Sequence, residues 1–383
     1  MGAPAHGKGQ PATDVAVIGG GIMGCAVALR LAQRGIGVTV IERGIPGAEA
    51  SSAAAGILGP QMEADGPGPL LELGLKSRAL YPALAAELRD LTGIDVGYDR
   101  SGVLMVAFDE AGEAALSSRR AWQLARGLRV DSLPGDAVRA REPGLSPAVR
   151  AALSFTDDAQ VVARDLARAF SQAAAVAGAR FLTGRYVRRV MVDNGAAVGV
   201  ELDGETLPAG VVVVAAGSWS GLVEGAGVPP AVVRPARGQL VSIETRPPLF
   251  RHVVAAPGGY LVPRRDGTVL AGSTVEMAGF RKEVTVGGLA SILTLAKTVF
   301  PALADAPVTA SWSNFRPFTE DHLPVLGSTA VRGLVLATGH FRNGILLAPI
   351  TAHSIAELIA SGKAPVDLAP FSVDRFALRT TWD

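Results

Sequence analysis

A short apolar run, Val15 to Ile18, breaks on three glycines and resumes as an amphipathic helical repeat from about Ile22 to Arg34, before the run "VTVIE" that closes on Glu42. Strand, turn, helix and strand in that order predict a βαβ opening. Leu70, Leu73, Leu80, Leu84, Leu88 and Leu91 recur at helical spacing, so a long helix is predicted over residues 69–92. Residues 95–150 change character, with a short strand "GVLMVAF" and then Arg-rich helical stretches. Residues 162–177 predict another helix. "YVRRVMV", "AVGVEL" and "GVVVVAAG" then predict three strands separated by Asn-Gly and Asp-Gly turns. From about 236 to 316 the chain is strand-rich ("GQLVSIE", "GYLVPRR", "TVLAGST", "VTASWSNF") around one helix near 286–299, a pattern that predicts a mostly antiparallel sheet. "GLVLATG" then leads through a turn into a helix over about 343–360, one more βα unit.

These elements predict an α/β fold: a Rossmann-type domain interrupted twice by a second, mostly antiparallel α+β domain. The expected division is a flexible tail at 1–13, a discontinuous first domain at 14–94, 152–235 and 317–383, and a second domain at 95–151 and 236–316. A chain of 383 residues with 49% apolar content is long enough for more than one core. Lys+Arg 36 against Asp+Glu 35 gives a formal net charge of +1, with no block of like charge to track a phosphate backbone or an anionic bilayer. No nucleic-acid or membrane partner is therefore expected. The single cysteine, Cys25, forbids an internal disulfide framework and fits a reducing compartment, so the expected location is cytoplasmic. The leading "MGAPAHGKGQPATD" lacks the apolar core of a signal peptide, and His6 stands where a myristoylation signal has Ser or Thr. The longest apolar runs, "VVVVAAG" and "ILLAPI", fall well short of the about 18 residues of a spanning helix.

The first glycine turn carries the most specific chemistry. "VIGGGIMGC" contains Gly19-x-Gly21-x-x-Gly24 between a predicted strand and helix, and Glu42 ends the next strand at the spacing of a dinucleotide fold. Gly19 permits the tight turn, Gly21 lets the backbone approach a pyrophosphate, and Gly24 allows close packing of helix on strand. The helix N-terminus then receives the anion. Glu42 would accept hydrogen bonds from ribose hydroxyls, and its charge argues against a 2′-phosphate despite Arg43. The motif alone does not separate nicotinamide from flavin. No second glycine fingerprint exists for a separate nicotinamide donor, so with FAD the electrons must come from the substrate itself. The run "EASSAAAGIL" (49–58) suits close approach to a long cofactor, but taken alone it reads first as a helix start capped by Ser51 or Ser52. The five histidines (His6, His252, His322, His340, His353) show no ligand spacing, and no metal is expected.

Taken together, "DVAVIGGGIMGCAVALRLAQRGIGVTVIERG", "SSAAAGIL", "VVVVAAGSWSG", "GGYLVPRRDG", "NFRPFTEDHLPVLG" and "GHFRNGILLAP" resemble the D-amino-acid-oxidase class of FAD-dependent amine oxidases, and among them the glycine oxidases of thiamine biosynthesis. The resemblance runs in order from about Asp14 to Ile359. It implies an FAD-binding domain beside a substrate domain, and hydride transfer from the Cα of glycine or a small amine or amino acid to flavin N5, with oxygen as acceptor and hydrogen peroxide as product. It places Ile22 and Met23, within the Gly19, Gly21, Gly24 cofactor-binding turn, under the pyrophosphate, Glu42 and Arg43 beside the adenosine, and Ser51, Ser52, Ala55, Gly56 and Ile57 along the diphosphate and flavin. Val187 falls on the adenine side, Gly217 at a second turn closing on the cofactor, and His340, Phe341, Arg342, Asn343, Gly344, Ile345 and Leu346 around the pyrimidine half of the ring. Tyr260, Arg316 and Arg342 are the implied substrate contacts, and a homotetramer follows by analogy.

The residues themselves support these roles without settling them. A planar guanidinium grips a carboxylate bidentately, and a tyrosine hydroxyl can share it. Arg316 either serves so or pairs with Glu320 or Asp321, and Tyr260 either joins it or caps a strand. Arg342 reaches the substrate carboxylate or adds to the field at the flavin. The resemblance also implies that Gly258, Gly259 and Val275 stand where glycine oxidases commonly carry larger or polar side chains, so a widened pocket is expected, open to sarcosine, N-ethylglycine and small D-amino acids. Cys25, at the start of the first helix, lies far from the flavin ring, so FAD is expected to be non-covalent. The competing readings are a D-amino-acid or sarcosine oxidase, a dehydrogenase of the same class, and a non-catalytic dinucleotide-binding protein.

Overall fold

In the computed structural model, which describes residues 12–376, the strand Thr13–Ile18 lies at the centre of a parallel sheet. It pairs in parallel with Val38–Glu42 on one side and Glu205–Val214 on the other. The sheet continues to Arg180–Thr183 at one edge, and to Leu334–Thr338 and the antiparallel Val325–Ser328 at the other. Chain order therefore reverses at the first strand. A crevice opens beyond the carboxyl ends of strands at such a point, where open α/β sheets bind their ligands. The expected tail falls almost entirely outside the described residues.

The helices are α1 (Ile22–Ala32), α2 (Ala50–Ala53), α3 (Pro60–Glu63), α4 (Pro69–Thr92), α5 (Glu110–Ala125), α6 (Gly135–Arg141), α7 (Ala163–Val176), α8 (Val286–Val299) and α9 (Gly344–Ser361). Helix α1 differs from expectation. Ile22 to Leu29 and Leu31 are all buried, so it is not amphipathic but apolar all round, held between the sheet and helices α7 and α9. It ends at Ala32 rather than Arg34, and the chain turns at Gly35 (φ 73°). The other face of the sheet is covered by a second core, which includes residues of the antiparallel strands Val187–Asp193 and Ala196–Leu202. The segment Phe341–Ser361 has the length and apolar character to cross a membrane, with mean hydropathy 1.4. Here it packs on α1 and α4 inside the first core.

The second sheet runs Val308–Phe318, Arg234–Glu244, Thr268–Gly272, Gly259–Pro263, Val253–Ala256, Val103–Ala107, Ala151–Phe155 and Asp131–Pro134. All pairings are antiparallel except Val253–Ala256 on Val103–Ala107. Residues 152–155, expected in the first domain, are hydrogen-bonded into this sheet, and the 234–244 and 308–318 strands stay paired through Arg234 and Phe318. The ladder thus runs past the expected boundaries at 152, 235 and 317. Helix α8 packs into a core on one face of this sheet. The core on the opposite face takes in Leu240, Tyr260 and Trp312 together with Ala55, Ile57 and Met62, and so joins the sheet to the first domain.

Candidate active site

A long cleft lies between the carboxyl edge of the parallel sheet and that second face. At its start Gly19 turns with φ 100°, and a Cβ there would stand 2.7 Å from Ala215 O. A Cβ on Gly24 would come within 1.9 Å of Gly19 O, so this glycine serves the packing of α1 and is not at the cleft wall. Gly21 does face the cleft, and its missing Cβ would meet only Ser51 Oγ, at 3.5 Å. The first turn of α1 carries no acidic side chain of its own. Ile22 N–H donates to Ser51 Oγ at 2.9 Å, which ties the small-residue segment to the glycine turn.

Glu42 is fixed by two backbone amides: Gly20 N–H donates to Oε2 and Gly44 N–H to Oε1, each at 2.8 Å. Each oxygen keeps lone-pair capacity for a ribose hydroxyl. Arg43 lies 3.8 Å over the Trp219 ring and 3.1 Å from Glu49 Oε1, while Lys282 Nζ meets Glu49 Oε2 at 2.6 Å. Burial pushes the Glu49 carboxyl up, but the Lys282 bond and charge, with Arg43 adding, outweigh it and hold the group below its ordinary value. Arg43 is thus engaged on both sides instead of awaiting a 2′-phosphate. Together the open Gly21, a helix start without an acid of its own and the anchored Glu42 fit an adenine dinucleotide.

The middle of the cleft is built by Ser51, Ala55, Gly56 and Ile57. Gly56 has φ 81°, and a Cβ would stand 2.0 Å from Val161 O. Arg264, just past the strand that carries Tyr260, clamps this loop: it donates to Ala55 O (2.6 Å), Val161 O (2.9 Å) and Gln160 Oε1 (2.9 Å). Burial brings its pKa down to about 10. Trp312 Nε1 donates to Ala53 O at 3.0 Å. Ser52 does not line the cleft; its hydroxyl donates to Gly47 O at 2.6 Å. Val187 and Gly217 line it beside Tyr186, Ser218 and Trp219. Cys25 is buried with Sγ 3.2 Å from Gly20 O, its thiol pushed up to about 12 by burial and then by Glu42. Among the described residues no group of three or more His, Cys, Asp or Glu could hold a metal.

At the far end the strand Leu334–Thr338 delivers the chain to Gly339 (φ 72°), where a Cβ would meet Thr319 Cγ2 at 2.9 Å. His340 is buried with Nε2 3.1 Å from Thr351 Oγ1, and burial pushes its pKa down to about 3, so it is neutral and adds no charge to the cleft. Phe341 takes φ 46°, a left-handed conformation unusual for a bulky residue, and packs its ring on Phe318 (5.1 Å) and His322 (5.0 Å). One 3₁₀ turn, Phe341–Asn343, precedes α9, which starts at Gly344. Gly344 and Ile345 line the cleft, whereas Leu346 is buried behind it. Arg342 Nη2 lies 2.7 Å from Glu63 Oε2 on the wall that the cleft shares with a neighbouring cavity. The contact is an ion pair without hydrogen-bond alignment. Glu63 ends α3, whose Met62 N–H meets the buried Asp158 at 3.4 Å; burial raises Asp158 to about 7 against the opposing charge of Arg78.

Arg316 projects from the strand Val308–Phe318 across Gly238 of its neighbour, where a Cβ would stand 2.0 Å from Nη1. It donates from Nη2 to Ser273 Oγ (2.6 Å) and from Nη1 to Thr274 O (3.0 Å). Asp321, one of the two carboxylates adjacent in sequence, lies 2.7 Å from Arg375. Tyr260 is paired in register with Gly272, one residue before Ser273, so Arg316 and Tyr260 flank the same corner of the cleft. The expected widening has no such basis at Gly259 or Val275. A Cβ on Gly259 would strike Gly272 O at 2.2 Å, so its smallness serves strand packing; Val275 is 51% exposed and off the cleft wall. Gly258 (φ 91°) has open space but does not line the cleft either. Sequence reasoning missed Glu63, Trp219, Gly238 and Ser273 as cleft residues; only Trp219, inside "AAGSW", carried a local signal.

The chain matches the family model described as FAD dependent oxidoreductase over residues 14–358. It is 40% identical over 368 residues to the glycine oxidase of Geobacillus kaustophilus (strain HTA426), covering 94% of this chain and 97% of that protein. It is 37% identical over 378 residues to the bifunctional protein ThiO/ThiG of Synechocystis sp. (strain ATCC 27184 / PCC 6803 / Kazusa), of which it covers 55%, with 97% of this chain matched. The crystal structure of glycine oxidase from Geobacillus kaustophilus superposes with a TM-score of 0.92 at 38% identity, covering 96% of this chain and 99% of that one.

Proposed function

The chain belongs to the FAD-dependent oxidoreductase family, and we propose that this member, an FAD-dependent amine oxidoreductase, oxidises glycine, and with it small amines or amino acids such as sarcosine, N-ethylglycine and small D-amino acids. The observation that carries the proposal is the corner where Arg316 and Tyr260 flank one end of a cleft whose other end is the Gly21 turn and Glu42. FAD, when bound, supplies the hydride acceptor at its N5. The work of the protein is then to hold a Cα–H in line with that acceptor. Arg316, oriented by Ser273 and Thr274, takes the substrate carboxylate, and the Tyr260 hydroxyl shares it. Arg342 sits at the side wall, its charge partly answered by Glu63.

The net reaction converts glycine, oxygen and water into glyoxylate, ammonia and hydrogen peroxide. Gly21, Ile22 and Met23 hold the pyrophosphate, Glu42 the ribose, Val187 the adenine side, and Ser51, Ala55, Gly56, Ile57, Gly217 and the 340–345 turn the remainder of a non-covalent FAD. The relationship to a ThiO/ThiG protein supports a place in thiamine biosynthesis. A cytoplasmic homo-oligomer, a tetramer by analogy, completes the proposal. The test is anaerobic: purified yellow protein is mixed with glycine, sarcosine or D-alanine and the flavin band followed. Bleaching by glycine is expected, with one equivalent of peroxide on re-aeration. A protein whose flavin none of the three reduces is not this enzyme.

A further inference from the structure

Helix α9 contains a proline near its start, and α4 supplies what that proline removes. Pro349 has no N–H, so the carbonyl of Ile345, four residues earlier, has no helical donor. The buried hydroxyl of Tyr81 donates to that carbonyl. One turn earlier in α4, Ser77 Oγ donates to Leu346 O at 2.6 Å and stands 3.4 Å from Ile350 N, the amide that would otherwise bond Leu346 O directly. Ser77 and Tyr81 are four residues apart and share one helix face, so two hydroxyls of α4 enter the hydrogen-bond ladder of α9 at consecutive carbonyls. The Tyr81 ring also stacks on Tyr98, with centroids 6.3 Å apart, and so keeps its place independently of the hydroxyl. The turn held in this way reaches the end of the cleft. Gly344 and Ile345 line it, and a Cβ on Gly344 would meet no neighbouring atom closer than His340 Cβ at 3.8 Å.

We propose that Tyr81 and Ser77 are positioning residues for the oxidation: by holding the Ile345 carbonyl that Pro349 leaves without a helical donor and the Leu346 carbonyl next to it, they set the direction in which the first turn of α9 presents its amides to the flavin. The inference rests on the placement of the 340–346 turn against the flavin ring. A helix interrupted by proline bends at the missing bond, and the bend is set by whatever satisfies the freed carbonyl. The amides of the first turn carry the positive end of the helix dipole, which favours the form of the cofactor that has gained negative charge. Losing a hydroxyl lets the turn relax, and the dipole no longer points where that charge grows.

The experiment measures the midpoint potential of bound FAD and the affinity of the protein for FAD in the whole enzyme and in Tyr81→Phe, which keeps the ring and its stack. The expected result is a shift of the two-electron reduction equilibrium by at least tenfold toward oxidised FAD, about 30 mV. Pro349→Ala in the same chain restores an N–H for Ile345 O and is expected to return most of that shift. A Tyr81→Phe enzyme that melts earlier but keeps its potential and FAD affinity overturns the proposal, and so does a double variant no better than the single one. If Tyr81→Phe does not fold, Ser77→Ala gives the same reading: a lowered potential supports the proposal and an unchanged one overturns it. Gly344→Ala tests the placement separately by setting a methyl group into the cleft. Unchanged FAD binding there sinks the placement; weakened FAD binding there, with an unchanged potential in Tyr81→Phe, sinks only the role of the hydroxyls.

Discussion

Arg342 holds Glu63 at 2.7 Å, whereas Arg316 is held by Ser273 Oγ and the Thr274 carbonyl. These two cations of the cleft are therefore unequal before any substrate arrives. One is answered by a carboxylate, and the other is aimed by neutral groups and keeps its full charge for a ligand.

From that inequality, Arg316→Leu should cost more than Arg342→Leu. Charge-assisted bonds are worth about 1.5–3 kcal/mol each, so losing a bidentate grip lowers kcat/KM for glycine by about two orders of magnitude or more. Arg342→Leu is expected to cost about tenfold or less, mostly in KM. Steady-state kinetics of both variants decides it, and equal losses would refute the asymmetry.

Gly238→Ala should imitate a damaged Arg316 without touching it. The added methyl would stand 2.0 Å from Nη1, so the guanidinium must move off its Ser273 and Thr274 partners. The expected outcome is a KM raised about tenfold or more with the flavin spectrum unchanged. A variant with normal KM would show that Arg316 is not the carboxylate grip.

His340 gives the fold an acid-labile component. Its folded pKa of about 3 lies below the ordinary 6.5, so between those values the unfolded chain binds the proton and the folded chain does not. Stability from this group is complete above pH 6.5 and is lost as pH falls toward 3, at a slope of at most about 1.4 kcal/mol per pH unit. Urea melts between pH 4 and 8 should show that slope, and His340→Gln, which can keep a bond to Thr351, should flatten it.

Arg264→Met should loosen the cofactor loop more than the substrate corner. Three buried acceptors lose a donor, so a stability loss of about 2–4 kcal/mol and weaker FAD retention are expected, with glycine KM little changed in the FAD-loaded fraction. Denaturant midpoints and FAD titration of the apoprotein measure both.

Local patterns made much of this molecule legible. The opening βαβ unit, the helices at 69–92 and 286–299 and the final βα unit all stand within a few residues of where periodicity puts them, because each is written in consecutive residues. The glycine turn and Glu42 could be read for the same reason. What stayed hidden depends on neighbours far apart in the chain. Nothing near Arg342 announces Glu63, and nothing near Arg316 announces Gly238 or Ser273. Gly259 reads as empty space until Gly272 O is seen to need it. The all-round burial of α1 was missed because its outer side is covered by α7 and α9, elements that periodicity within α1 does not reveal.

The position of α9 also sets an order of events in synthesis. Helix α1 leaves the ribosome well before α9, which covers one side of it, helps to close the cleft and begins only at Gly344. Until α9 emerges that apolar flank of α1 has no native cover, a state in which nascent chains are prone to aggregate and are guarded by chaperones. A ribosome stalled before residue 344 would therefore carry a chain that cannot close the cleft, because Gly344 and Ile345 form part of its wall.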